Sequence, residues 1–313
     1  MSRRAPMVVT AVLAAIGLVL GACAGNTANT SGEPAGTPSA SGAFPVTAGS
    51  ATLDRRPEKI VVLAPTATEM LFAIGAGAQV TAADSNSDFP PEAPKTDLSG
   101  FQPNAEAIAA KNPDLVIISN DLDKVSAQLT QLGIPVYLAE AAKTLNDTYV
   151  QLDDLGKLTG HGAEAAGVAQ RMKTDIGNLV KDLPQRAKKL TYYYELDQTL
   201  YSVTSKTFIG SLFDQIGLVN LADPADADGT KGGYPQLSAE FLVQANPDLI
   251  FLADTLCCAQ SAATVTARPG WSGITAVRNK QIVALNDSIA SRWGPRVVEL
   301  LRTVVEAVGK VAA

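Results

Sequence analysis

The stretch that decides the fold is EAIAAKNPDLV at residues 106–116, which recurs as EFLVQANPDLI at residues 240–250. Each copy predicts a helix that begins near a glutamate, ends before Asn-Pro because proline cannot continue a helix, and leads into a buried strand. A second, weaker echo pairs LFAIG at 71–75 with LFDQIG at 212–217. Two echoes in the same order predict two similar lobes, and a cleft between such lobes is a natural ligand site.

On both sides of these repeated stretches, short continuous apolar runs alternate with helical patterns. Continuous runs are typical of parallel strands that are covered on both faces, so the alternation predicts an α/β fold. The strand candidates are Ile60–Ala64, Leu115–Ile118, Pro135–Leu138, Leu190–Tyr194, Leu249–Leu252 and Ile282–Leu285. The helical patterns cover Thr68–Ile74, Ala105–Ala110, Lys124–Leu132, Phe208–Ile216 and Ala239–Gln244.

One segment breaks this alternation and divides the chain. From Thr144 to about Leu183 there is no strand candidate, and apolar residues recur at helical spacing until Pro184. We therefore predict two Rossmann-like α/β lobes with parallel sheets, at 51–143 and 185–313. One long connecting helix at 144–184, with a possible interruption near 160–162, joins them.

The N-terminus has the pattern of an export signal. Two arginines precede an apolar or small run from Val8 to Leu20, which is too short to span a bilayer and is typical of a signal peptide. The run leads into LGAC at 20–23, which resembles the bacterial lipobox, so we predict a signal peptide at 1–22 and lipidation of Cys23. An ordinary signal peptide with an incidental cysteine is the alternative. Residues 23–50 are mainly small and polar, which predicts a flexible linker.

Composition and motifs exclude several function classes. The 313-residue chain has a formal net charge of −6 and no cluster of basic residues, so nucleic acid is not an expected partner. The single histidine, His161, excludes a metal site built from several imidazoles. The chain has neither a phosphate-binding loop nor a Gly-x-Ser-x-Gly elbow. We predict that it is not an enzyme, although a carboxylate-pair hydrolase and a membrane-tethered sensor stay open as alternatives.

An ordered set of motifs carries a family resemblance. RPEKIVVL at 56–63 with PTATEMLFAIG at 65–75, SDFPP at 87–91, YPQLS at 234–238 and SRWGPR at 291–296 are similar to helical-backbone (cluster A, or class III) solute-binding proteins. These serve ABC importers of cobalamin, ferric siderophores and haem, and the sequence most resembles the cobalamin-binding branch. The resemblance implies a rigid connecting helix, small closure on ligand, delivery to an ABC permease, and no resident cofactor or metal.

The same resemblance implies roles for two glutamates. In the family, a glutamate on each lobe docks into arginine pockets of the permease, and Glu69 and Glu240 match those positions. Two exposed carboxylates far apart would fix orientation as well as attraction. The alternative is that each is simply an acidic residue favoured near a helix start. The family also implies a monomer at the extracytoplasmic face of the membrane.

The matching cleft positions predict the ligand contacts. They carry aromatic residues for stacking on a flat corrin, together with an acid and an arginine: Phe89, Phe101, Tyr201, Tyr234, Asp287, Arg292 and Trp293. Phenylalanine and tyrosine replace tryptophan at two of the contacts that the cobalamin-binding relatives use. An anionic ferric siderophore is the alternative ligand, for which Arg268, Arg292 and Tyr234 would be suitable. Histidine-ligated haem is not expected, because His161 is poorly placed.

Adjacent cysteines, Cys257 and Cys258, follow the strand candidate Leu249–Leu252. In an exported protein, two neighbouring thiols are expected to oxidise to a vicinal disulfide that stiffens a turn. A thiolate contact with a ligand metal and simple burial are the alternatives.

Overall fold

The computed structural model describes residues 44–184 and 186–311. The predicted signal peptide and Cys23 lie outside these ranges. Within them, no helix combines the length and the apolar character needed to cross a bilayer.

Two four-stranded parallel sheets form the centres of two lobes. The first sheet has the order β4-β3-β5-β6 and the second the order β10-β9-β7-β8, so each lobe places its four strands in the same relative order. A short antiparallel hairpin, β1-β2, precedes the first sheet. The strands are β1 (Val46–Ala48), β2 (Ala51–Leu53), β3 (Ile60–Leu63), β4 (Val80–Ala83), β5 (Leu115–Ile118), β6 (Val136–Leu138), β7 (Thr191–Glu195), β8 (Val219–Asn220), β9 (Leu249–Leu252) and β10 (Ile282–Ala284). The predicted fold class is confirmed.

Helices connect these strands and cover the sheets. They are α1 (Pro65–Ala73), α2 (Ala105–Ala109), α3 (Val125–Gln131), α4 (Leu145–Thr159), α5 (Gly162–Lys181), α6 (Phe208–Gln215), α7 (Ala239–Ala245), α8 (Ala262–Thr266), α9 (Thr275–Arg278), α10 (Asp287–Ala290) and α11 (Val297–Lys310). The central strands β3, β5 and β9 are fully buried, as their continuous apolar sequences require. The strands β4 and β8 are absent from the predicted set because β4 is rich in alanine and threonine and β8 has only two residues.

The internal repeat is reproduced at the level of individual contacts. Asn104 caps α2 by accepting from the Ala107 amide at 2.8 Å, and Ser238 caps α7 in the same way. Each helix then reaches an asparagine, Asn112 or Asn246, with a positive φ of 51°. Asparagine tolerates this left-handed conformation better than most residues, so both copies turn toward their strand by the same device.

The aspartate that follows Asn-Pro also has one role in both lobes. Asp114 accepts from the amides of Glu58 and Lys59 at the start of β3. Asp248 accepts from the amide of Thr191 at the start of β7. The motif Asn-Pro-Asp therefore joins the start of one strand to the start of its neighbour in each sheet.

The connection between the lobes consists of two helices, α4 and α5, rather than one continuous helix. The break lies at the predicted place, where Gly160 ends α4 in the left-handed region. The helices pack closely next to the break, because a Cβ on Gly156 would lie 2.5 Å from that of Ala165. His161 stands in this junction within hydrogen-bond distance of Arg56 and Gln79, and burial together with the charge of Arg56 lowers its pKa.

The boundary expected for the flexible linker is wrong by several residues. Residues 46–50 form β1 and the turn after it, although the prediction from composition places them in the flexible linker. The hairpin packs on α4, and the Ser50 hydroxyl ties it to β6 by donating to the Val136 carbonyl and accepting from the Leu138 amide. The alternation of buried and exposed residues in β2 stabilises the pairing of the two strands. The low overall hydrophobicity of the segment is the reason why the sequence did not predict this hairpin.

Candidate functional site

A cavity of about 500 Å³ lies at the carboxyl ends of β3 and β5. These two strands mark the point where the strand order of the first sheet reverses, which is where ligands bind in open α/β sheets. Leu63, the last residue of β3, and Ala64 after it line the cavity, as do Ser119 and Asn120, which follow β5. A segment of the second lobe, Ser291–Trp293, forms the other wall. The cavity is therefore an inter-lobe cleft.

The lining is mainly neutral. Asp84 and Arg292 are the only ionisable side chains among the described residues that line the cavity. Asp84 accepts a 2.5 Å hydrogen bond from the Ser87 hydroxyl. Burial raises the pKa of Asp84, and the Ser87 hydrogen bond and the charge of Arg292 oppose that shift. The other polar groups, on Thr66, Asn86, Ser119, Asn120 and Ser291, are hydroxyls and amides, which suit an uncharged polar ligand.

A buried ion cluster joins the lobes beside the cavity, and it overturns the expected exposure of Glu69. This carboxylate is only 3% exposed. Arg292 donates from Nη1 to Oε1 of Glu69 at 2.8 Å, and Arg296 donates from Nε to Oε2 at 3.0 Å and from Nη2 to Oε1. In the described structure Glu69 therefore has no free face for a permease. The sequence could not show this, because both arginines lie more than 220 residues away.

Asp88 extends the cluster on the side nearer solvent. Arg292 donates from Nη2 to Oδ1 of Asp88 at 2.7 Å and to the carbonyl oxygen of Asn86 at 2.9 Å. Partial burial alone would raise the pKa of Asp88, but the hydrogen bond and charge of Arg292 outweigh burial and lower it. Gly294 permits the close approach, since a Cβ there would lie 3.3 Å from Oε2 of Glu69.

The structure brings three of the seven predicted ligand residues to the cavity. Phe101 lines it with 72% of its surface exposed, and Arg292 and Trp293 line the opposite wall. The Trp293 indole donates to Gln151 at 2.9 Å, which fixes the ring. Phe89 lies outside this cavity, with its ring 3.9 Å from the guanidinium carbon of Arg296. The ring therefore stacks on a guanidinium of the ion cluster, and a role of Phe89 in ligand binding stays a prediction.

Two predicted tyrosines lie together elsewhere on the second lobe. Tyr201 pairs with Gln236 in an isolated bridge, and Gln236 lies two residues after Tyr234 in the chain. Both tyrosines are exposed. Neither lines the cavity. Their role in binding stays a prediction.

Asp287 holds a loop in place. It accepts from the amides of Thr255, Leu256 and Cys257 and from the Thr255 hydroxyl, at 2.8–2.9 Å. Both carboxylate oxygens are thus engaged within the second lobe, and Asp287 does not line the cavity. The loop carries Cys257 and Cys258, whose sulfur atoms are bonded to each other.

The corresponding edge of the second sheet is filled with charged side chains. Glu195, at the end of β7, is fully buried and accepts two 2.6 Å hydrogen bonds from Arg268. Arg268 also stacks over Trp271. Asp254, just after β9, is fully buried, and neither of its carboxylate oxygens has a hydrogen-bond partner among the described residues. Burial, and secondarily the charge of Glu195, raise the pKa of Asp254 to about 7.

Glu240 is exposed in the first turn of α7, as expected. Its counterpart in the repeat is Glu106, which is exposed in the first turn of α2. The sequence already pairs these two glutamates through the echo of residues 106–116 and 240–250. The family motif around residue 69 directs attention to a different glutamate, and Glu106 is missed for that reason.

Reasoning from the sequence also missed Asp84, Ser119 and Asn120 in the cavity wall. A general rule would have found Ser119 and Asn120, because they follow the predicted buried strand Leu115–Ile118 at its carboxyl end. Asp84 follows β4, which the sequence did not predict, so the same rule could not have found it. In the described ranges, no group of three or more His, Cys, Asp or Glu side chains is arranged to hold a metal ion.

Comparisons with known proteins agree with this geometry. A family model described as "Periplasmic binding protein" matches residues 60–289. A "Cobalamin-binding protein" of Halobacterium salinarum is 31% identical over 279 residues, covering 84% of this chain and 74% of the relative. An "Uncharacterized ABC transporter substrate-binding lipoprotein" of Bacillus subtilis is 29% identical, covering 85% of this chain and 86% of the relative.

A solved structure is similar over the same region. The periplasmic vitamin B12 binding protein of Vibrio cholerae superposes with a TM-score of 0.64 and 26% sequence identity. The match covers 81% of this chain and 98% of that one.

Proposed function

We propose that this chain, which belongs to the periplasmic binding protein family, captures its solute in the cleft at the ends of β3 and β5 for an ABC import permease. The observation that carries the proposal is the position of the cavity: it lies at the switch point of one sheet and is walled by Ser291–Trp293 of the other lobe. We infer no catalytic step, and the two relatives described above are named as binding proteins.

For the ligand we propose a cobalamin-like corrinoid rather than an anionic ferric chelate. A corrin offers wide apolar faces and a rim of amides, which suit Phe101, Trp293 and the hydroxyl and amide groups of the lining. An anionic siderophore needs uncompensated cations. The two arginines that the sequence offers for that purpose, Arg268 and Arg292, are both paired with carboxylates. The names of two relatives favour the same choice.

The test is a titration of tryptophan fluorescence with cobalamin, haem and a ferric siderophore, corrected for absorbance and checked by calorimetry. Trp293 lines the cavity, whereas Trp271 is buried in the second lobe. We expect saturable quenching by cobalamin that is reduced in Trp293→Phe. Saturable binding of a ferric chelate alone would mean that the ligand is a ferric chelate and not a corrinoid. The absence of a binding signal in calorimetry with every ligand would contradict a solute site in this cleft.

For permease docking we propose Glu240 together with Glu106, in place of Glu69. The two stand at equivalent positions of the repeat and both are exposed, so they supply one carboxylate from each lobe. We expect Glu106→Ala and Glu240→Ala each to lower uptake by cells while leaving ligand affinity unchanged. Glu306→Ala, an exposed acid on α11, is the matched control. Loss of ligand affinity in either docking variant would contradict the assignment.

We further propose a monomer held at the extracytoplasmic membrane face through lipid on Cys23. The support is the lipobox-like LGAC at 20–23 and the similarity to a relative named as a lipoprotein. Cys23→Ala is expected to move the protein from the membrane fraction to the soluble extracytoplasmic fraction. Retention of Cys23→Ala on the membrane would contradict lipid anchoring at this residue.

A further inference from the structure

The ion cluster beside the cavity contains two arginines and two carboxylates. Glu69 and Asp88 belong to the first lobe, and Arg292 and Arg296 to the second. At neutral pH the four formal charges cancel. Arg292 is the member that also lines the ligand cavity. Apart from Asp84, which lines the cavity with Arg292, the charge that the cavity presents to a ligand therefore depends on Glu69 and Asp88, which lie outside its lining.

The geometry leaves Arg292 little capacity for a further anion. Nη1 is directed to Glu69 at 2.8 Å, and Nη2 to Asp88 at 2.7 Å and to the Asn86 carbonyl at 2.9 Å. Its side chain is only 11% exposed. A ligand carboxylate or catecholate that approached Nη2 would have to displace Asp88 or the Asn86 carbonyl, and an approach to any other donor would compete with the charges of Glu69 and Asp88. It would also approach Asp84, which lines the same cavity.

We propose that Glu69 and Asp88 are specificity-determining residues: by neutralising Arg292 and Arg296, they make the cleft reject anionic metal chelates and accept uncharged ones. This inference rests on the proposed function, because it takes the cavity as the ligand site. It assigns to Glu69 a part in ligand selection in place of permease docking.

Removal of one carboxylate frees guanidinium donors next to the ligand. A charge-assisted hydrogen bond in a partly buried site is strong enough to change an affinity by roughly ten- to a hundredfold. The effect must be selective, because a freed cation attracts an anion and does little for a neutral ligand. Specificity thus changes through release of a charge that is already present, without a new side chain in the cavity.

The experiment uses Asp88→Asn, with Glu69→Gln as a second variant. Asp88 is half exposed, so its substitution endangers folding less than that of the buried Glu69. The control is Asp153→Asn, which removes one negative charge from an exposed pair with Lys157 on α4. Each protein is titrated calorimetrically with cyanocobalamin, with haem as a dicarboxylate probe, and with a ferric tris-catecholate.

We expect Asp88→Asn and Glu69→Gln to bind haem or the ferric catecholate at least about tenfold more tightly than the parent chain does. This gain should shrink as salt is added, because it is electrostatic. Cyanocobalamin affinity should change by less than about threefold in Asp88→Asn. Asp153→Asn should behave as the parent.

Two results separate failure of this inference from failure of the proposed function. If the parent binds cobalamin and neither variant gains affinity for the anionic probes, the specificity role is wrong and the solute site stands. Tight binding of an anionic probe by the parent also overturns the specificity role. If the parent binds none of the three probes and the variants bind none either, both proposals fail.

Discussion

The two sheets have the same strand order but use their carboxyl edges in opposite ways. At the edge of the first sheet, Ser119 and Asn120 leave an open cavity. At the edge of the second, Glu195, Arg268 and Asp254 fill the corresponding place with buried charge. Topology therefore offers a crevice in both lobes, and the side chains that follow the strands decide which crevice stays open.

The largest effect is expected from Glu195→Gln, which tests whether the buried charges at the edge of the second sheet stabilise the protein. Removing the charge leaves the Arg268 guanidinium half-paired in a region that also buries Asp254. Loss of one partner from a buried pair costs about 3–5 kcal/mol, so we expect a fall of that order in the free energy of unfolding. Chemical denaturation measures it, with Glu306→Gln as the exposed control, which should change by no more than about 0.5 kcal/mol. A small effect would mean that the filled edge contributes little to stability.

The next largest effect is expected from Asp254→Asn and depends on pH. Burial and the neighbouring charge of Glu195 raise the pKa of Asp254 to about 7 in the folded protein, with Arg268 opposing and Asp287 adding to the shift. The folded state therefore binds this proton more tightly than the unfolded state does, and stability falls as pH rises from about 4 to about 7.

One proton accounts for a slope of at most about 1.4 kcal/mol per pH unit. Asp254→Asn cannot ionise, so this contribution to the slope should disappear and the variant should gain on the parent as pH rises. Urea denaturation between pH 5 and pH 8 measures the difference. Parallel curves for the two proteins would show that Asp254 does not titrate in this window.

Glu69→Gln tests the pair that crosses the lobes and should destabilise the protein less than Glu195→Gln does. Its arginines keep Asp88, the Asn86 carbonyl and the Phe89 ring as partners. We expect a loss of about 1–3 kcal/mol. Hydrogen exchange should quicken in α1 and in residues 291–296, where the lobes meet, and not around β7. Faster exchange throughout the second lobe would contradict a local inter-lobe role.

The smallest expected effect tests whether equivalent residues of the two lobes contribute equally to stability. Asp114→Ala removes a carboxylate that accepts from two backbone amides at a strand start, and Asp248→Ala removes one that accepts from the Thr191 amide and hydroxyl. Each should cost about 1 kcal/mol, and the two losses should agree within about 0.5 kcal/mol. The extra pair of Asp114 with the exposed Arg55 adds little. Thermal unfolding of the two variants measures these losses. A large difference between them would mean that the two lobes share their fold but not the energetic role of this aspartate.

The repeated lobes were predictable from the sequence because their signals are local. Asn-Pro-Asp, a capping residue and a continuous apolar strand each lie within a dozen residues, and the structure reproduces them in both copies. The burial of Glu69 was not predictable in this way. A glutamate in a short helix looks exposed until the arginines that cover it are known, and these come from a segment at the other end of the chain.

The residues that line the cavity were predictable only in part. Phe101, Arg292 and Trp293 were identified through family motifs, and Ser119 and Asn120 follow from the predicted strand Leu115–Ile118. Asp84 follows β4, whose sequence of alanine and threonine gave no strand signal. Asp287 matches a family position, yet its oxygens are engaged by backbone amides 30–32 residues away. A residue type at a matching position therefore does not fix its role, since the local supply of hydrogen-bond donors decides what the side chain can still bind.

The ion cluster that ties α1 to residues 291–296 also determines when the protein loses its freedom of inter-lobe movement. Since these bonds form as the chain folds, the entropy of ordering the lobes is lost at folding and not on encounter with a ligand. A receptor preorganised in this way binds with a heat-capacity change set by the surface buried in the cleft itself. We therefore expect loaded and empty forms to differ chiefly in what occupies the cleft and little in the angle between the lobes.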